Sequence, residues 1–169
     1  MKFLSSLALL FSVVAANPVR LTNEPQKFYL KTAGASHPEH NNLYVYGYHT
    51  AAAQNDAVLT ADIKTAKPAF FNGSHVQFAM NTPFPWGLVM HLSNNYAAWE
   101  PVMINVGYGE NDFSVENGQL QWSKPEGFGG WLVCDWYHNE PQLFYLMSFR
   151  KHKLPAECSE IQLRLDYIS

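Results

Sequence analysis

The chain has 169 residues, 11 Lys+Arg against 14 Asp+Glu, 47% hydrophobic and 15% aromatic residues, and two cysteines. A slightly acidic balance argues against a nucleic-acid protein, which needs a clustered basic surface to neutralise phosphates. The length and apolar content suit one domain with a real core, not a disordered chain or a small disulfide-stapled scaffold.

Residues 1–16, "MKFLSSLALLFSVVAA", read as a secretory signal. Lys2 supplies the positive start, residues 3–16 carry no charge, and Val14 and Ala16 place small side chains before a cut at Asn17. That run is shorter than the ~20 apolar residues needed to span a bilayer, and no later segment is long enough, so no membrane insertion is expected. Cleavage removes Lys2 and leaves ten basic against fourteen acidic residues, a mature charge of about −4. The expected localisation is extracellular, possible retention at a cell wall included.

Residues 17–25 form a polar, proline-punctuated lead-in, expected to be a loose arm before a single domain over 26–169. Short runs rich in β-branched and aromatic residues follow: "KFYLKT" (27–32), "LYVYGYH" (43–49), "HVQFAM" (75–80) and "EPVMINVGY" (100–108). Later come "DFSVENGQLQW" (112–122), "GWLVCDWY" (130–137), "QLFYLMSF" (142–149) and "IQLRLDYI" (161–168). In the last, Ile161, Leu163, Leu165 and Tyr167 alternate with Gln162, Arg164 and Asp166, the period of a strand with one buried face. Turn formers separate the runs, and Asn117-Gly118 in "ENGQL" is a hairpin signal. Residues 55–69 are the one helical candidate, a turn or two ending before Pro68. The pattern predicts an all-β fold, a single-domain antiparallel β-sandwich or barrel.

In an oxidising compartment the even pair Cys134 and Cys158 reads as one disulfide. Asn72-Gly73-Ser74 is the one glycosylation sequon and sits in a turn, so Asn72 is expected to carry glycan and face solvent. His37 and His40 flank Pro38 and Glu39 in "HPEH"; a proline loop lacks the rigidity a zinc site prefers, and these histidines read as solvated. No metal or other cofactor is expected. "RKHK" (150–153) reads as a solvated strand end. Carboxylates at Asp56, Asp62, Glu100, Asp135 and Glu140 could serve sugar hydrolysis in pairs. No spacing forces two of them together, and no G-x-S-x-G elbow exists, so no catalytic residue is assigned.

The aromatics are too many to bury entirely: 5 Trp, 9 Tyr and 11 Phe. Along residues 130–137, alternation sends Trp131, Val133, Asp135 and Tyr137 to one face, and Leu132, Cys134 and Trp136 to the other. The second set is expected in the core. The first, which carries a carboxylate costly to bury unpaired, is expected to be partly wet, with Trp131, Asp135 and Tyr137 in a binding surface.

"LYVYGYHTAAAQNDAVLT", "FPWGL", "NYAAWEPVMINVGYG", "GQLQW" and "GFGGWLVCDWYHNEPQLFYL" together resemble a family of small secreted proteins from ascomycete fungi. The family is described as a domain of unknown function, and some members are labelled elicitors of hypersensitive cell death in plants. The likeness spans about residues 28–168 and implies a secreted β-rich domain without an established activity. The C-terminal third is also similar to fungal cell-wall mannoproteins of the Pir and PhiA-like kind, in which paired cysteines bracket an aromatic hairpin. The extra cysteines of the Pir domain are missing here. The expectation is a non-catalytic extracellular protein that binds a wall polysaccharide or host surface component. The alternatives are a carbohydrate-active enzyme using Asp135 and Glu100, or a structural wall component.

Overall fold

The computed structural model describes residues 24–92, 98–123, 127–149 and 153–169. The expected signal segment, most of the expected arm and residues 150–152 of the basic run lie outside the described residues. Among the described residues, twelve strands form one antiparallel sheet that curls into a closed barrel. In chain order they are β1 (Lys27–Ala33), β2 (Tyr44–Ala51), β3 (Gln54–Thr60), β4 (Ala69–Asn72), β5 (His75–Phe78) and β6 (Trp86–Met90). Then come β7 (Trp99–Val106), β8 (Phe113–Glu116), β9 (Gln119–Trp122), β10 (Phe128–Asp135), β11 (Pro141–Met147) and β12 (Cys158–Tyr167).

Nine strands complete the ring, β1-β4-β5-β6-β7-β3-β11-β10-β12, and β12 returns to pair with β1 over Phe28↔Tyr167 to Ala33↔Gln162. β2 bridges β3 and β1, and the β8–β9 hairpin attaches to β12 through Arg164↔Gln119. Of the two architectures the alternation allowed, the barrel is the one formed. A closed ring leaves fewer strand edges with unpaired backbone groups.

The eight apolar runs each contribute to strands, and the run 112–122 forms the β8–β9 hairpin on Asn117 and Gly118, both at positive φ (51° and 76°) as a type I′ turn requires. The helical candidate at 55–69 is corrected. Its first half is β3, which puts Asn55, Ala57 and Leu59 inside, and its second half is an Asp62-capped turn with Thr65 N–H donating to Asp62 O at 3.0 Å. Pairing with β2, β7 and β11 overrides the modest helical preference of Ala and Leu there.

Inward side chains fill the barrel: Phe28 and Leu30, Leu59, Leu88 and Met90, Val102 and Ile104, Trp131 and Val133, Leu143 and Tyr145, Leu163 and Leu165. On β10 and β11 the opposite face is buried as well. Leu132, Cys134, Phe144, Leu146 and Cys158 form a second apolar cluster, and Trp99, Trp136 and Leu154 pack onto it. Both faces of this hairpin are therefore dry through the middle of its length.

Candidate functional site

β10 turns from core to site within one row of side chains. Trp131 and Val133 point into the barrel, and Asp135 ends the same row at the rim. Exposure rises from 2% at Trp131 to 62% for the Asp135 side chain. The alternation was legible, but the assignment of Trp131 to a binding surface is corrected. Trp131 packs edge-on against Phe128 at 4.9 Å, and its indole N–H donates to Leu120 O at 2.7 Å. One carboxylate at the end of an inward row wets that end alone. Beyond the strand, Tyr137 is 79% exposed. Trp136 is half-buried, edge-on to Phe144 at 5.6 Å and to Tyr137 at 5.1 Å.

The Cys134–Cys158 disulfide joins directly opposed residues of β10 and β12, with Cα atoms 4.1 Å apart. The cross-link brings the flanking residues together, and Asp135 N–H donates to Glu157 O at 3.2 Å. Asp135, Trp136, Tyr137, Asn139 and Glu157 then line a concavity of about 390 Å³ at the rim. Sequence reasoning missed Asn139 and Glu157 and assigned Trp136 wholly to the core. Glu157 could have been found, since it precedes the expected disulfide partner as Asp135 follows the other.

Beneath the concavity lies His40, expected to be solvated and in fact 1% exposed. The 3-10 turn Pro38–His40 inserts it into the end of the barrel. There Nε2 lies 3.2 Å from Asp135 Oδ1 and Nδ1 lies 3.1 Å from Ser159 Oγ. Ser159 Oγ also meets His37 N–H and the Ser36 hydroxyl, both at 3.2 Å. A hydroxyl has one proton and two lone pairs, so Ser159 is satisfied when it donates to Nδ1 and accepts from the other two. In that arrangement Nε2 carries a proton directed at Asp135.

Asp135, His40 and Ser159 have the order of an acyl-transfer triad but the wrong exposure. In such a triad the carboxylate is buried and the serine faces substrate. Here the carboxylate faces solvent, while Ser159 is 1% exposed and fully engaged. The arrangement fixes Asp135; it does not present a nucleophile.

The other side of the 136–140 turn is pinned to β2 and β3. His138 Nε2 lies 2.8 Å from Asp56 Oδ2, and its ring stacks on Tyr48 at 4.1 Å. Burial first, and then the charges of Glu140 and Tyr48, raise the neighbouring Tyr46 phenol above its ordinary value. Within this turn Trp136, Tyr137 and Asn139 line the concavity, and His138 anchors the turn.

Glu100 does not join Asp135. It is 1% exposed on β7, opposite Tyr145 of β11. Asn72 ends β4 exposed at the tip of the β4–β5 hairpin, and its side-chain amide donates to Gln77 Oε1 at 3.3 Å. Among the described residues no group of three or more His, Cys, Asp or Glu comes together to hold a metal ion. No helix among them is long and apolar enough to cross a membrane.

The molecule is thus an antiparallel β-barrel with an aromatic and acidic concavity on one rim. The chain belongs to the family described as a domain of unknown function (DUF7907), whose model matches residues 25–167. Comparison with curated proteins and with solved structures finds no match.

Proposed function

We propose that this is an extracellular, non-catalytic binding protein, and that the rim concavity takes a saccharide of a cell wall or host surface. The observation that carries this reading is Tyr137, 79% exposed and beside Trp136, in one concavity with Asp135, Asn139 and Glu157. An exposed aromatic ring is an apolar plate on which the C–H face of a sugar can lie. Carboxylate and amide groups around it accept and donate the hydrogen bonds that sugar hydroxyls require. The volume falls near the lower end of the roughly 300–1,000 Å³ of ligand pockets, suited to one or two rings.

The sequence at residues 1–16, the Asn72 sequon and the disulfide support secretion, and with it a wall-associated or elicitor-like role on a fungal surface. Separation of Glu100 from Asp135 weighs against hydrolysis by that pair. A glycan array probed with the full mature protein and with Tyr137→Ala tests the proposal. The expected result is binding to a wall saccharide that Tyr137→Ala weakens roughly tenfold, the scale of one lost aromatic contact of about 1.4 kcal/mol. Binding that Tyr137→Ala leaves intact, or none to any glycan, overturns it.

A further inference from the structure

We infer that the ligand of the rim concavity is a protonated amino sugar, of the kind found in a deacetylated β-1,4-linked glucosamine polymer, and not a neutral glycan. This rests on the binding reading above and names its chemistry. Among the described residues the lining holds two carboxylates, Asp135 and Glu157, two aromatic rings and one amide, and no lysine or arginine. Two carboxylates on one concavity give it a negative potential that favours a cationic ligand. Trp136 and Tyr137 add ring faces that attract an ammonium group.

The Asp135 carboxylate is held in advance of any ligand. Oδ1 accepts from the buried His40, whose other nitrogen is tied to Ser159, so the second oxygen is left for the concavity. The main chain of Glu157 is held by its backbone bond to Asp135 and by the adjacent disulfide. A fixed acceptor of this kind discriminates by charge more sharply than a mobile surface acid, because binding does not have to order it. Tyr137, outside the strand and widely exposed, supplies a plate for the pyranose ring that carries the amine. A linear polyamine would make no use of such a plate.

Calorimetric titration of the full mature protein decides the matter, with three hexamers of the same linkage: fully deacetylated glucosamine, fully N-acetylated glucosamine, and glucose. The buffer is held at about pH 6, between ordinary carboxylate and amine pKa values. The deacetylated hexamer should bind at least roughly tenfold more tightly than the other two and weaken with added salt. Glu157→Gln and Asp135→Asn should each remove most of that preference, while Glu116→Gln on the distant β8 should leave it unchanged. Thermal melts confirm that each variant is folded, and Glu157→Gln does not touch His40.

Equal affinity for all three hexamers overturns the charge inference and leaves saccharide binding standing. A loss with Glu116→Gln as large as with Glu157→Gln also overturns it, since the attraction would then be diffuse. Binding of none of the three overturns the inference, and the array result then decides separately whether the saccharide reading survives.

Discussion

Trp131 and Trp136 are five positions apart on one hairpin, and their surroundings predict opposite consequences. Trp131 is enclosed in the barrel and donates a buried hydrogen bond to Leu120 O. Trp131→Ala should cost about 3–5 kcal/mol in chemical denaturation. Trp136 is half-buried at the rim, so Trp136→Ala should cost less than Trp131→Ala and should weaken ligand binding. Equal losses of stability would mean that the rim is as tightly packed as the barrel. Tyr46 offers a second test. Its phenol is raised by burial, then by Glu140 and Tyr48, so it keeps its proton to higher pH in the folded chain than in the unfolded one. The associated stability is complete below about pH 10 and is lost as pH rises through the folded value. Glu140→Gln should lower the Tyr46 midpoint in an ultraviolet titration, identified by its absence in Tyr46→Phe. An unchanged midpoint would remove Glu140 as a cause.

Two contacts between elements carry predictions of their own. β6 and the segment after β7 approach so closely that a side chain at Gly87 would collide with the backbone of Tyr108 and Gly109. The contact is bonded as well, Glu110 N–H donating to Leu88 O at 2.8 Å. Backbone cannot yield as a flexible side chain can, so Gly87→Ala should destabilise by more than about 1–3 kcal/mol, the ordinary range for overpacking. A melt like that of the parent would show that the two segments can part without loss. The Cys134–Cys158 cross-link spans 24 positions, and the chain-entropy model gives it roughly 3 kcal/mol. Cys134→Ser with Cys158→Ser should lower stability by about that amount and loosen the concavity, because Asp135 and Glu157 flank the bond. Intact mass with and without reductant checks that the purified protein carries it.

At the scale of the molecule, closure is the feature that makes the barrel one cooperative unit. β1 and β12 are the first and last strands among the described residues and pair over six registered positions. Truncation after Glu160 removes that seam, exposes both edges and the lower ends of the interior rows, and should abolish a cooperative thermal transition followed by circular dichroism. Removing residues 1–25 should leave the transition in place, because β1 begins at Lys27. A truncated chain that still melts cooperatively would show that closure by β12 is dispensable. Closure also explains the rim. Elements converge there from both ends of the chain, and the concavity combines the β10–β11 turn with the segment entering β12.

The all-β class, most strands and the β8–β9 turn could be read from the chain alone, because each depends on neighbours in sequence, and the disulfide because the cysteine count leaves one pairing. Period-two alternation needs only the pleat, Asn-Gly needs only its own φ, and two cysteines have one way to pair. Short strands such as β4 and β6 were missed, since four or five residues rarely establish a period. The candidate site was half legible. Asp135 and Tyr137 stood out beside a turn, and alternation grouped Trp131 with Asp135 correctly. What alternation lacks is any measure of how far along a row the water reaches. Only barrel closure decided that, by enclosing Trp131 while leaving Asp135 at the mouth. The same closure turned His40 from an apparent loop histidine into a buried support for Asp135, across a separation of 95 residues that no local pattern records.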